Sequence, residues 1–304
     1  MINFKKVEIE DKKWVVPLVD AGQVRGCHYN FTNLLAWSGI FKYKIAQIED
    51  YLVVKREVTE DTEDTPSYFY PVGQGDPAPI INILAQDALN CGHDLILVGL
   101  STDNMAVLNR IFPDKFEYTA MVDSFDYVYL LDKLTTLSGD KLRSKRNHVN
   151  YFKKNNTWSF EAITSENIAE CWEMNVEWCK RQKCKYDIEL TNENCAVSRC
   201  FDHYTELDLE GGLLRSNGKV VAYTMGGRLN ADTYDINIEK AFEEIRGAYQ
   251  MINQQFALLI KNNHPDIIYL NREEDMGDEG LRKAKQSYRP IRMEEKYQAK
   301  YLGL

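Results

Sequence analysis

The chain has 304 residues, 44% hydrophobic and 27% charged, the composition of an ordinary globular protein with room for one large or two ordinary domains. A net charge of −9 argues against broad nonspecific nucleic-acid binding, and no stretch approaches the roughly 20 apolar residues of a membrane span. The opening residues lack the apolar core of a signal peptide, so the expected compartment is the cytoplasm, and seven scattered cysteines without a C-x-x-C pair fit free thiols there.

Residues 1–27 are expected to form a helix and a strand, with Pro17 disturbing the helix over 11–19. Tyr29, Phe31, Asn33, Leu34 and Trp37 mark an aromatic turn and short helix under a first sheet. Residues 43–54 alternate around Glu49-Asp50 and read as a hairpin. Glu57, Glu60, Asp61, Glu63 and Asp64 mark an exposed loop ending at Pro66. A strand over 67–72 leads through a glycine-bearing turn to a helix with Ile80, Ile81, Leu84, Ala88 and Cys91 on one apolar face. Residues 95–100 read as a buried strand, and Ser101, Thr102 or Asp103 caps the next helix.

Ser138-Gly139-Asp140 can start a helix in which Leu142, Val149 and Phe152 share a face and basic residues cover the rest. It reads either as a plain connector or as the wall of a cleft lined by Lys145, Arg146 and His148, a contact for ligand or nucleic acid. A strand over 158–163 and two helices, from Ser165 and over 191–207, follow. Residues 211–216 and 219–229 flank an Asn217-Gly218 turn as a hairpin. The second half repeats the element order of the first: hairpin, strand, glycine turn, helix, strand, helix. Two similar domains are therefore expected, over 1–137 and 156–304, joined by a basic helix over 138–155.

The stretch 231–301 carries the chemistry. A strand over 233–238 precedes Arg246-Gly247-Ala248 at the start of a helix, where unpaired amides and a partial positive charge suit phosphates. Tyr249, Ile252, Phe256, Leu259 and Ile260 repeat at helical spacing, and Pro265 follows the helix. A buried strand over 267–270 opens into Asn271-Arg272-Glu273-Glu274-Asp275-Met276-Gly277, the carboxyl-end position at which open α/β sheets bind ligands. Hydrolase, Walker and dinucleotide motifs are absent, and five dispersed histidines give no metal constellation, so no metal is expected. Cys179 and Cys184 flank a basic run without a nearby His, which disfavours a metal there.

Ile238-Glu239-Lys240-Ala241, Arg246 to Gln250, Asn271-Arg272-Glu273, Asp275-Met276-Gly277 and Glu279 to Lys285 with Ser287, Tyr288 and Pro290 resemble the C-terminal soluble domain of phosphatidylglycerol lysyltransferases and its stand-alone bacterial relatives. Leu137-Ser138-Gly139, Lys145 to Asn150 and Phe152 extend the resemblance upstream. It implies an α+β (α/β) fold of two tandem GNAT-like acyltransferase domains of the Fem type, each a mixed, mostly antiparallel sheet flanked by helices. It also implies acyl or aminoacyl transfer to an amine or hydroxyl of a small-molecule, peptide or lipid acceptor. Glu239, Glu273 and Asp275 are the candidate bases or amine-gripping groups. Asn271 and Arg272 would orient the carbonyl, and Tyr288 would serve as acid or anion contact. Arg246, Gly247, Ala248, Tyr249 and Lys285 would hold the donor's phosphates. The GNAT pattern Gln/Arg-x-x-Gly-x-Gly/Ala stands here as Glu244-Ile245-Arg246-Gly247-Ala248-Tyr249, keeping only the central glycine. A coenzyme A thioester is the modestly favoured donor, aminoacyl-tRNA the alternative, and a ligand-binding module without turnover the reading from another class.

Overall fold

The computed structural model describes residues 2–58 and 65–303. Of the acidic loop expected before Pro66, Glu60, Asp61, Glu63 and Asp64 lie outside the described residues. The chain forms two compact units: residues up to Asp126 with those from Glu294 onward, and Tyr127–Met293.

Unit 1 contains β1 (Lys5–Lys6), α1 (Lys12–Ala21), α2 (Phe31–Trp37), β2 (Tyr43–Ile48), β3 (Tyr51–Arg56), β4 (Ser67–Phe69), β5 (Val72–Gly73), α3 (Ala78–Asn90), β6 (Ile96–Leu100), α4 (Thr102–Ile111) and β7 (Phe116–Ala120). Unit 2 takes in β8 (Asp126–Leu130), α5 (Leu131–Thr136), α6 (Arg143–Asn155), β9 (Trp158–Ala162), α7 (Ile168–Gln182), α8 (Ile188–Asp202), β10 (Glu210–Ser216), β11 (Lys219–Arg228), β12 (Thr233–Ala241), α9 (Ala248–Asn263), β13 (Tyr269–Asn271), α10 (Glu279–Gln286) and β14 (Arg292–Glu294). The final strand, β15 (Tyr297–Tyr301), returns to unit 1.

Among the described residues the unit 1 sheet runs β1-β2-β3-β4-β6-β15-β7, with β5 also on β3, and the unit 2 sheet runs β9-β10-β11-β12-β13-β8-β14. Each has a parallel pair at its centre, β4 with β6 and β12 with β13, bridged by α3 and α9 as crossovers. The other pairings with a defined register are antiparallel. The sixth place in each sheet is filled by a strand from the other half of the chain. β15 lies between β6 and β7, and β8 lies between β13 and β14.

That exchange moves the domain limits away from the expected ones. The units part at Asp126/Tyr127 and again at Met293/Glu294, and the basic helix α6 lies inside unit 2 instead of linking two domains. α6 belongs there because Val149 and Phe152 are buried, 2% and 0% exposed. The core of unit 1 gathers Tyr68, Ile80, Leu84, Leu97 and Leu108 between the sheet and α3 and α4. In unit 2, Tyr223, Tyr234, Ile252, Phe256 and Ile260 are fully buried. Pro17 sits within α1 without ending it, and α8 starts earlier than its apolar pattern indicates because the Asp187 carboxylate accepts from the amides of Glu189 and Leu190.

Candidate functional site

β12 and β13 pair over only three rungs, Thr233 with Tyr269, Tyr234 with Leu270, and Asp235 with Asn271. β12 then runs on to Ala241, while the chain after Asn271 stays beside β8 through Arg272 N to Tyr127 O (3.0 Å) and Tyr127 N to Glu273 O (3.2 Å). The two strands thus splay at their carboxyl ends and open a cleft.

A bulge on β12 decides what faces that cleft. Met225 opposes Ile238 and Gly227 opposes Asp235, so Ile236 and Asn237 together oppose Gly226. Gly226 is required, since a Cβ there would meet the Asp235 carbonyl oxygen at 2.0 Å. The extra residue breaks the period-two alternation. Tyr234 packs on Phe256 of α9 (centroids 6.1 Å apart), and Glu239, an odd number of positions on, reaches Asn253 of the same helix.

The group built there is Glu239, Arg272, Asn253, Tyr129, Tyr288 and Lys145. Arg272 Nη2 donates to Glu239 Oε1 at 2.9 Å, and Asn253 Nδ2 donates to Oε2 at 3.0 Å. The Arg272 guanidinium lies 4.9 Å from the Tyr288 ring centroid and 5.7 Å from that of Tyr129. Lys145 Nζ sits over the Tyr288 ring at 4.3 Å. Burial works against the Arg272 charge, yet Glu239, with Tyr129 and Tyr288 adding to it, holds the guanidinium pKa above its ordinary value. Burial, and then the charge of Arg272, pull the Lys145 ammonium below its ordinary value. Burial pushes the Tyr288 phenol far up, so it stays protonated. Two polar atoms in this group are buried without a hydrogen-bond partner, the donor Arg272 Nη1 and the acceptor Asn253 Oδ1. A buried orphan donor and a buried orphan acceptor, on side chains that bond the two oxygens of one carboxylate, are costly for folding alone and suit a ligand that completes both.

The other residues singled out in the sequence lie around this group in different roles. Asn271, fully buried, accepts from the Glu273 amide at 2.7 Å and turns the chain at Glu273, whose φ is +56°. Glu273 Oε1 accepts from Asn237 Nδ2 at 3.3 Å. Asp275 does not face the cleft as a base. Arg282 grips both its oxygens (2.9 and 2.8 Å), and Tyr127 and the Gly277 amide donate to it as well. The Arg282 hydrogen bonds foremost hold its carboxyl at about 2, too low to take a proton at neutral pH. Lys285 is turned inward onto the carbonyls of Arg272 (2.6 Å), Glu273 (3.2 Å) and Glu274, so it staples the loop and is not an anion contact.

At the start of α9, Gly247 has φ +90°, and a Cβ on it would lie 2.4 Å from the His148 carbonyl oxygen. The glycine therefore serves the close approach of α6, and its geometry adds no support for a pyrophosphate cradle. Ala248 is buried, Tyr249 is partly buried with its phenol pushed up to about 12 by burial, and Arg246 lies on the Tyr151 ring at 4.3 Å. Arg146 closes the turn before α6 by donating to the carbonyls of Leu137 and Gly139. His148 has a buried, unpartnered Nδ1, and burial, Arg246 and Lys145 disfavour its charged form.

Sequence reasoning passed over Asn253, Tyr129 and Tyr127, and it noted Arg282 only as one of a run of basic residues and within the resemblance, not as the partner of Asp275. Asn253 left one readable signal, a polar residue next to Ile252 on the stripe that continues with Phe256 and Ile260. Tyr127 and Tyr129 belong to β8, whose place between β13 and β14 depends on the strand exchange.

Residues 21–300 match the family described as phosphatidylglycerol lysyltransferase, C-terminal. A conserved protein of unknown function from Bacteroides thetaiotaomicron VPI-5482 is 37% identical, with TM-score 0.92 over 99% of this chain and 100% of that one. L-PGS from Bacillus licheniformis is 14% identical, with TM-score 0.65 over 97% and 93% of the two chains, a likeness of fold. The uncharacterized protein MYCGA3080 of Mycoplasmoides gallisepticum (strain R(low / passage 15 / clone 2)) is 26% identical over 187 residues, and that match spans 59% of this chain and only 57% of the relative's length. FemX is 9% identical, with TM-score 0.54 over 99% of this chain and 98% of that one, again a likeness of fold, and the two mostly antiparallel sheets flanked by helices are of that Fem type. No helix among the described residues is long and apolar enough to cross a membrane.

Proposed function

Because this chain belongs to the phosphatidylglycerol lysyltransferase C-terminal family, we propose that the cleft between β12 and β13 transfers an aminoacyl group from an ester donor, aminoacyl-tRNA, to a hydroxyl or amine of a lipid or peptide. Family and fold support acyl or aminoacyl transfer. The observation that carries the finer reading is the paired orphan, Arg272 Nη1 and Asn253 Oδ1, on either side of Glu239. An α-aminoacyl ester offers a carbonyl oxygen to the first and an ammonium donor to the second.

Transfer needs a stabilised oxyanion and a proton acceptor more than covalent help. Arg272 Nη1 is the donor for the oxygen that gains charge as the carbonyl is attacked. The acceptor's O–H or N–H bond breaks as its oxygen or nitrogen bonds the carbonyl carbon, and Glu239 takes the proton. The ester C–O bond then breaks, and the same proton passes to the leaving hydroxyl. Lys145, with its pKa depressed beside Arg272, keeps positive potential over the site. The sequence leaned modestly toward a coenzyme A thioester. The packing of His148 against Gly247 gives that glycine a structural reason of its own, so it adds no support for the thioester.

Binding separates the two donors. Filter retention of charged and uncharged tRNA at low and moderate salt is set beside calorimetric titration with coenzyme A. Retention of charged tRNA, weakened by Arg272→Met, with no saturable coenzyme A heat is the expected result. Saturable coenzyme A binding lost in Arg246→Ala, with no tRNA retention, would return the assignment to the thioester.

A further inference from the structure

Unit 1 has a cavity of about 210 Å³, space for roughly seven waters. Tyr29, Tyr51 and Tyr70 line one side, and Asn104, Val107 and Arg110 of α4 line the other. Tyr70 directly follows β4, and its amide donates to Val98 O of β6 at 3.0 Å. The cavity therefore opens at the carboxyl end of the parallel pair, the topological counterpart in unit 1 of the position Glu239 and Arg272 hold in unit 2.

Its chemistry is that of a donor-lined hole. Tyr51 is 5% exposed and its hydroxyl is buried without a partner, a cost that folding alone does not explain. The Tyr29 hydroxyl is already committed to the Tyr70 carbonyl at 2.8 Å. Arg110 acts electrostatically on Tyr70, and it is exposed and forms no ion pair among the described residues. No lining residue is Asp or Glu. Two carboxylates act electrostatically on Tyr51, Asp76 and Glu49; both are exposed to water, and Asp76 accepts from the Ala78 amide at 3.0 Å.

From the orphan Tyr51 hydroxyl, the unpaired Arg110 and the aromatic walls, we infer that unit 1 holds a second binding site, for a small carboxylate with an apolar or aromatic body. The carboxylate accepts from Tyr51 and meets the charge of Arg110, and the body packs between the tyrosine rings. This site is independent of the transfer chemistry assigned to unit 2.

Equilibrium dialysis of the full chain with benzoate, hexanoate and neutral benzamide tests it. Saturable binding of one of the carboxylates, with benzamide at least about tenfold weaker, is expected, and Tyr51→Phe and Arg110→Ala each weaken it by about tenfold, the worth of one hydrogen bond to a charged group. Arg110 is exposed, so its variant folds and reports on binding alone. The inference is overturned if neither carboxylate saturates by about 20 mM, a concentration that reveals even a weak millimolar site. Benzamide binding as tightly as benzoate would overturn it too, as would binding indifferent to both substitutions.

Discussion

Arg272 Nη2 stands 2.9 Å from Glu239 Oε1, and this ion pair ties together the two strands that part to form the cleft. Their side chains are only 13% and 10% exposed, so neither charge is cheap to leave alone. Arg272→Met should cost about 3 kcal/mol of stability, most of it the penalty of an unpaired buried carboxylate. Adding Glu239→Gln should recover at least half. Urea unfolding of both single variants and the double variant measures this, and strictly additive losses would show that the two side chains do not interact.

Asp275 predicts an acid limb in stability. Its folded carboxyl is held at about 2, below the unfolded value, so the unfolded chain takes the proton first. The contribution is complete above about pH 4 and disappears as pH falls toward 2, and it amounts to about 2 kcal/mol. Asp275→Asn should lower stability at pH 7 by that order and flatten the profile between those limits. A wild-type profile with no slope there would refute it.

Gly247→Ala places a methyl 2.4 Å from the His148 carbonyl oxygen in a residue with φ +90°. The loss should exceed about 1 kcal/mol, because both strain and overlap must be relieved. Thermal unfolding checks it. A variant of wild-type stability would mean that the glycine is not held by α6 and would reopen the phosphate reading.

The strand exchange predicts that cuts at the apparent joint fail. A fragment ending at residue 137 lacks β15, which belongs between β6 and β7, and one starting at 138 lacks β8. Each should give poor amide dispersion in solution spectra, whereas mixing the two should restore it. A well-dispersed spectrum from either fragment alone would contradict the topology.

Much of the fold is legible in the sequence because local signals agree with it. The stripe from Tyr249 to Ile260 gives α9, Asn217-Gly218 gives the β10–β11 hairpin, and the repeated element order gives two related units. The exchanged strands are not legible, since which sheet β8 and β15 join is a non-local choice. The site is half legible for a similar reason. Glu239, Arg272, Tyr288 and Lys145 stand out by type and position, and they converge. Asp275 and Lys285 look equally chemical in one dimension. Only the partners supplied by Arg282 and the backbone carbonyls reveal them as loop braces.

The most direct test of the whole account is transfer itself: tRNA charged with radiolabelled amino acid, the full chain, and vesicles containing phosphatidylglycerol. Label should move from tRNA to the lipid phase with the wild-type protein and fall by about a hundredfold or more in Glu239→Gln, the loss expected when a general base is removed. Transfer that Glu239→Gln leaves unchanged, or charged tRNA that stays intact with lipid, peptide and small amine acceptors alike, would contradict the assignment of this cleft.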